Sequence, residues 1–166
     1  MTELKRMYLD DQKARRRLSA ITDRHEFLLQ MFLAGVDDCA RVLRVLEIIN
    51  ANQVVSGQDF LCAAVILHHS GDIRLCMLAS AFAWQAFEMD YRSEPDEFDP
   101  KWLSAAAFDR VRVLTGRRQL FGTQYDPRTG ERNPVHPEVT DDLRRQWNVR
   151  PLSQRGDKPL DGYGSE

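Results

Sequence analysis

Side chains that can move a proton or hold an anion stand at a few separated places in this chain. His69 follows a long apolar run, and Asp109-Arg110 follows the small apolar stretch Ala105-Ala-Ala-Phe108. An imidazole titrates near neutral pH and can act as a general acid or base. A carboxylate among small apolar residues must be paired or protonated. His69 and Asp109 are therefore the candidate catalytic residues, with Asp109 orienting the imidazole or acting as a base itself.

Residues that could bind a substrate surround this pair in the sequence. Arg15 or Arg110 could hold an anionic group, and Gln119 and Gln124 could donate hydrogen bonds to a carbonyl oxygen or an oxyanion. Thr123 has no adjacent base, which disfavours it as a nucleophile. The candidate substrate-binding residues are Asp11, Gln12, Arg15, Arg110, Gln119, Gly122, Thr123 and Gln124.

Each candidate also has a structural interpretation. His69 could cap the C-terminus of a helix, where the helix dipole favours it. Asp109 could form a buried ion pair with an arginine such as Arg15, and Gly122 could mark a β-bulge rather than a ligand contact. On residue types alone, the structural interpretation is favoured for His69 and Asp109.

Motifs for metals, nucleotides and nucleophilic serine are absent from the sequence. There is no G-x-S-x-G elbow, phosphate loop or dinucleotide fingerprint, and the four histidines form no H-x-x-x-H pair. No metal or cofactor is therefore expected. The odd number and wide spacing of Cys39, Cys62 and Cys76 predict buried free thiols rather than disulfides or a zinc site.

Composition places the chain among soluble globular proteins. Its 166 residues suffice for one domain, and 43% are hydrophobic, 29% charged. The net charge of −2 disfavours a general nucleic-acid binder, and the basic run Lys13–Arg17 is typical of a solvated helix face. Neither a secretion signal nor a membrane-length apolar run is present, which predicts a soluble, cytoplasmic protein without membrane contact.

Hydrophobic periodicity predicts a mainly α fold, a single-domain helical bundle with one small C-terminal β-hairpin. Gly35 is expected to end the second helix, and the fourth is apolar nearly all round and should be central. Alternation after Gly116 predicts the hairpin near 117–135, within a domain spanning 1–152 and followed by a C-terminal tail at 153–166. The predicted helices cover about residues 2–20, 23–34, 37–49, 58–69, 72–91, 100–115 and 141–147.

Several short motifs together resemble a bacterial family catalogued as domain of unknown function 6624. The motifs are Asp11-Gln12-x-x-Arg15, His69, Asp109-Arg110, Gly116-x-x-Gln119-x-Phe121-Gly122-Thr123-Gln124, and Asp142-x-x-Arg145 with Pro151-Leu152. The chain departs from the family at His68, which replaces a glutamine, and at Phe121, where tyrosine is common. The resemblance implies a helical fold and one shared polar site, but no established reaction.

Two hypotheses of function follow, and the first is slightly favoured. The first is an enzyme that acts on a small molecule by metal-free acid–base chemistry, as a hydrolase, cyclase or lyase. The alternative is a non-catalytic binding, immunity or regulatory protein whose polar cluster is structural. A nucleic-acid enzyme would rest only on Arg15–Arg17 and Arg117-Arg118, and the sequence does not predict an oligomeric state.

Overall fold

The computed structural model describes residues 1–126 and 129–154, and this part of the chain is mainly helical. The predicted tail lies outside the described residues from position 155 onward. The helices are α1 Glu3–Ser19, α2 Arg24–Asn50, α3 Gly57–His68, α4 Ile73–Glu88, α5 Pro100–Leu114 and α6 Asp141–Gln146, followed by one 3₁₀ turn, Leu152–Gln154.

Polar side chains cap the start of every one of these α-helices. Each capping oxygen accepts a hydrogen bond from a backbone amide of the first turn, which satisfies a donor that the helix itself cannot use. At α3 the arrangement is reciprocal, since Asp59 in turn accepts from the Ser56 amide. The caps are Thr2, Asp23, Ser56, Asp72, Asp99 and Thr140.

Gly35 does not end a helix, which corrects the prediction of two separate helices at 23–34 and 37–49. Instead, α2 runs without interruption from Arg24 to Asn50. A glycine inside a helix costs about 1 kcal/mol relative to alanine, because it loses more backbone freedom on folding. The helical hydrogen bonds on either side outweigh that cost, so a single glycine without a following proline does not terminate α2.

The apolar helix α3 occupies the centre of the molecule, as its sequence predicts. Residues 61–67 are all buried, and α3 packs against α1, α2, α4 and α5. Polar side chains appear where α3 ends, at His68 and its C-cap His69. Because α1 packs along α3, Asp11 on α1 lies beside this end of the central helix.

The predicted hairpin is not found, since the described residues contain no β-strand. Among the described residues, only two isolated β-bridges connect the two expected arms of the hairpin. They pair Gln119 with Val135 and Tyr125 with Arg132. Three backbone amides of residues 120–123 donate to the Asp109 carboxylate instead of to a facing strand. A ladder needs those amides, so their use by Asp109 explains why alternation here does not produce strands. Residues 127–128 of the expected turn lie outside the described residues.

The three cysteines are free thiols, but one of them is not buried. Cys62 and Cys76 lie in the core, as expected, whereas Cys39 is exposed on α2. Cys39 lies on a second apolar face of α2, which points away from the bundle.

Candidate functional site

Asp109 organises the segment that follows α5. One carboxylate oxygen accepts from the Leu120 amide at 2.6 Å and from the Phe121 amide at 3.1 Å. The other accepts from the Thr123 amide at 3.1 Å and the Thr123 hydroxyl at 2.9 Å. The carboxylate in contact with His69 is that of Asp11, which corrects the expected contact between Asp109 and His69.

The side chain of Gln119 stabilises the same segment by hydrogen bonds to backbone groups. Its side-chain amide donates to the Gln124 carbonyl at 3.0 Å and to the Asn133 carbonyl at 2.6 Å. Its side-chain oxygen accepts from the Gln124 amide at 2.8 Å. Because this side chain is fully buried and bonded at both ends to backbone, it replaces the strand pairing that the segment lacks.

Gly122 is required by both conformation and space. Its φ of +77° lies in the left-handed region that only glycine adopts without strain. A Cβ at this position would also come within 2.9 Å of the Leu152 side chain. Asp109, Gln119, Gly122 and Thr123 together form one structural unit, called here the loop anchor.

Arg110 connects the loop anchor to the end of the central helix. Its Nε donates to the Gln124 side-chain oxygen at 3.1 Å, and its Nη1 donates to the His68 carbonyl at 3.0 Å. Gln124 also donates to the Ala106 carbonyl at 3.0 Å, which fixes its amide in one orientation. Arg110 thus caps the C-terminus of α3 next to His69.

His69 meets Asp11 on α1. Its Nδ1 lies 3.3 Å from one Asp11 carboxylate oxygen and 3.1 Å from the other. Gln12 donates to the same carboxylate at 2.9 Å, and Arg15 donates to it at 3.3 Å. An ionised carboxylate has no proton and can only accept hydrogen bonds. Nδ1 of His69 therefore carries the ring proton and donates a hydrogen bond to Asp11.

The sequence did not indicate two residues of this group, Asp38 and Arg41. Asp38 on α2 accepts from Arg15 and from Arg41, each at 2.5 Å, and Arg41 also lies 3.9 Å from Asp11. From the sequence, Asp38 is placed only near the start of a separate predicted helix at 37–49. Its spacing of three from Arg41 on one continuous helix is the signal that could have found the pair. Asp11, Gln12, Arg15, Asp38, Arg41 and His69 are called the Asp11–His69 cluster.

Electrostatics keep Asp11 charged and His69 neutral at pH 7. Burial alone would raise the pKa of Asp11, but the hydrogen bond from His69 and the charges of Arg15 and Arg41 outweigh it and lower the pKa. Burial lowers the pKa of His69, and the opposing effect of Asp11 does not cancel this. A neutral imidazole hydrogen-bonded at Nδ1 leaves its Nε2 lone pair available.

Nε2 of His69 makes no hydrogen bond to any of residues 1–126 or 129–154. The His69 side chain is 6% exposed, so only a small part of its surface meets solvent. A proton acceptor with a buried carboxylate behind it is the geometry of a general base.

His68 adds a second neutral imidazole beside the first. The two ring centres are 5.4 Å apart, and burial together with the charge of Arg110 holds the pKa of His68 well below its usual value. Within the described residues, the buried Nδ1 of His68 has no hydrogen-bond partner.

The structure divides the predicted site residues into two groups joined by one arginine. Asp11, Gln12, Arg15 and His69 lie together, and Asp109, Gln119, Gly122, Thr123 and Gln124 lie together, with Arg110 between the groups. The two therefore do not form the single cluster that the sequence suggested.

Two clefts border the loop anchor rather than His69. One, of about 290 Å³, is lined by Val113, Gly116, Arg117, Arg118, Asn133 and Pro134. The other, of about 280 Å³, is lined by Ser80, Ser104, Phe108, Leu120, Phe121 and Trp147. No group of three or more His, Cys, Asp or Glu side chains within the described ranges could hold a metal ion.

Comparisons with protein-family models, with curated proteins and with solved structures found no match for the chain. The resemblance to domain of unknown function 6624 thus stays a prediction. Among the residues that the structure describes, no helix is both long and apolar enough to cross a membrane.

Proposed function

We propose that the protein is an enzyme that transforms a small anionic molecule by acid–base chemistry, with His69 as the general base. The observation that carries this proposal is the pairing of His69 Nδ1 with buried Asp11, while Nε2 has no hydrogen-bond partner among residues 1–126 and 129–154. The lowered pKa of His69 supports it, because a base must be unprotonated at the working pH.

In the proposed reaction, His69 Nε2 takes a proton from water, a substrate hydroxyl or a carbon beside a carbonyl. The resulting imidazolium is stabilised by Asp11, which stays ionised because Gln12 and Arg15 also donate to it. His69 then returns the proton to the leaving oxygen or nitrogen, so the enzyme ends in its starting state. Hydrolysis, cyclisation and elimination all follow this scheme.

Arg110 supports an anionic substrate. Its positive charge lowers the pKa of both His68 and His69, which means that its field reaches both rings. The same field attracts a carboxylate or phosphate group toward Nε2. Gln124 holds the guanidinium in place, so this residue acts as a positioning residue for Arg110.

The test compares His69→Gln with His25→Gln, which changes an exposed histidine far from the cluster. A panel of small carboxylate and phosphate esters, lactones and β-hydroxy acids serves as substrates. We expect any turnover by the wild type to fall at least about 100-fold in His69→Gln, as for loss of a general base, with the melting temperature nearly unchanged. His25→Gln should retain activity. Turnover that survives in His69→Gln would overturn the assignment.

The alternative is a non-catalytic binding, immunity or regulatory protein, and one observation favours it. Asp109 and Gln119 direct their side-chain hydrogen bonds to the backbone or to Thr123, as in a purely structural network. On this alternative, the pairing of Asp11 with His69 likewise serves to fix α1 against α3. A large loss of stability in His69→Gln, together with no turnover on the panel by the wild type, would favour it.

A further inference from the structure

Helix α2 carries two apolar faces on opposite sides. The inner face packs on the bundle through Val42, Val45 and Ile48, all buried. The outer face is exposed over residues 29–43 of this 27-residue helix. Its members are Leu29, Phe32, Val36, Cys39 and Leu43. A surface helix needs only one apolar face to join its own domain, so the second face requires a separate explanation.

The spacing along the outer face is that of a coiled-coil seam. Its five residues follow one another at intervals of three, four, three and four. This alternation averages 3.5 residues over two heptads, the period at which an apolar stripe faces a partner helix. A partner helix with a matching stripe therefore fits this face as a short helix–helix contact.

The outer face exposes large apolar side chains that its own domain does not cover. Phe32 is 71% exposed and Leu43 is 63% exposed, and Leu28 and Leu33 widen the stripe on either side. The large apolar side chains at positions 28, 29, 32, 33, 36 and 43 are each between 48% and 71% exposed. A contiguous exposed apolar patch of this kind marks an interaction surface.

The sequence of the chain narrows the choice of occupant. Residues 155–166 contain only Leu160 and Tyr163 as large apolar residues among charged residues and glycines, too few to fill a five-position seam. The positions that flank the seam carry Leu28, Leu33, Gly35 and Ala40, none of them charged. Two copies of this face would therefore meet without like-charge repulsion.

We propose that the protein forms a homodimer in which the outer face of α2 packs on the same face of a second copy. A self-complementary patch of this kind generates a closed two-fold dimer. Asp38 and Arg41 point to the other side of α2, toward Asp11, so the dimer leaves the Asp11–His69 cluster uncovered. The proposal does not depend on whether His69 is catalytic.

The first test measures the mass of the full chain by sedimentation velocity over a range of concentrations. We expect a species of twice the 19.2 kDa chain mass for the wild type. Phe32→Glu should weaken association about 100-fold or more, because the dimer would bury an unpaired charge. Met77→Glu, at a similarly exposed apolar position on α4, is the matched control and should remain dimeric. Circular dichroism verifies that both variants are folded.

A second test uses Cys39, which lies within the seam. It is the exposed cysteine of the three, and burial raises the pKa of Cys62 to about 12 and also raises that of Cys76. Maleimide labelling of Cys39 should slow several-fold as protein concentration rises, and this slowing should vanish in Phe32→Glu. A monomer at all concentrations, a dimer that survives Phe32→Glu, or a labelling rate independent of concentration would each overturn the proposal.

Discussion

Two buried carboxylates in this molecule share their burial and differ in their chemistry. Asp109 is 0% exposed and Asp11 is 1% exposed. Asp109 receives only neutral donors, which are backbone amides and one hydroxyl from a single short segment. Asp11 receives donors from a histidine and an arginine, in a cluster drawn from α1, α2 and the end of α3.

The type of donor distinguishes a structural carboxylate from a candidate catalytic one more clearly than burial does. The donors around Asp109 cannot gain or lose a proton near neutral pH, so the loop anchor has one electrostatic state. The histidine beside Asp11 can, and its second nitrogen has no hydrogen-bond partner among the described residues. A buried carboxylate is therefore a better sign of a functional site when a titratable side chain, rather than the backbone, contacts it.

The largest expected effect on stability concerns Asp109, the carboxylate that neutral donors surround. Asp109→Asn replaces an acceptor-only group by one that can accept at a single atom, and it leaves buried amides of residues 120–123 without a partner. We expect a loss of about 4 kcal/mol in the free energy of unfolding, measured by urea denaturation at pH 7. Asp142→Asn, at an exposed ion pair, should cost less than about 0.5 kcal/mol. Equal effects of the two changes would remove the distinction.

A slightly smaller effect is expected from Gln119→Glu. The new carboxylate cannot donate to the carbonyls of Gln124 and Asn133, and its charge would repel both oxygens. Unfolding free energy should fall by about 3 kcal/mol at pH 7 and recover partly at pH 5, where the new acid becomes protonated. A stability independent of pH in this range would contradict the assigned contacts.

The electrostatic side of the comparison is tested by Asp11→Asn. Arg15 and Arg41 keep Asp38 as a partner, so we expect a loss of only about 2 kcal/mol, less than for Asp109→Asn. The pKa of His69 should fall further, since the Asp11 charge raises it in the wild type. Histidine resonances followed by NMR as a function of pH measure this shift. Glu3→Gln, at an exposed ion pair, is the control and should leave the pKa of His69 unchanged.

The effect that is smallest for a single residue and one pH unit is a dependence of stability on pH. His68 and His69 have folded pKa values below 6.5, so the unfolded chain binds more protons once the pH falls below about 6.5. Their contribution to stability is fully present above that pH. It is lost toward each folded pKa at about 1.4 kcal/mol per pH unit for each histidine.

Denaturant unfolding at closely spaced pH values checks this slope. His69→Gln should reduce it by about one proton. An unchanged slope in His69→Gln would mean that His69 titrates alike in the folded and unfolded chain.

Local signals predicted the helices well and their long-range partners poorly. Caps and apolar periodicity indicated the central position of α3 and most helix starts, because those features depend on neighbours in the sequence. The prediction that a helix ends at Gly35 was wrong because the backbone cost of one glycine is small against a 27-residue helix. The predicted hairpin failed for the opposite reason, since a distant carboxylate took the amides that a strand would have needed.

Residue types located the candidate site, but not the pairing within it. Residue chemistry alone favoured Asp109 as the carboxylate partner of His69. Only the packing of α1 along α3 brings Asp11 into contact with His69 instead. Asp38 and Arg41 both lie in the predicted helix 37–49, but no local signal places that helix beside Asp11. Pairings of this kind need three-dimensional information because each side chain comes from a different helix.

The bridge formed by Arg110 couples the two regions thermodynamically. The C-terminus of a helix carries a partial negative charge that would raise the proton affinity of a histidine there, and Arg110 offsets that charge at the His68 carbonyl. Its orientation depends on Gln124 and hence on the loop anchor. By linkage, any ligand that rearranges residues 119–124 changes the proton affinity of His69, and protonation of His69 changes the affinity for that ligand by the same factor.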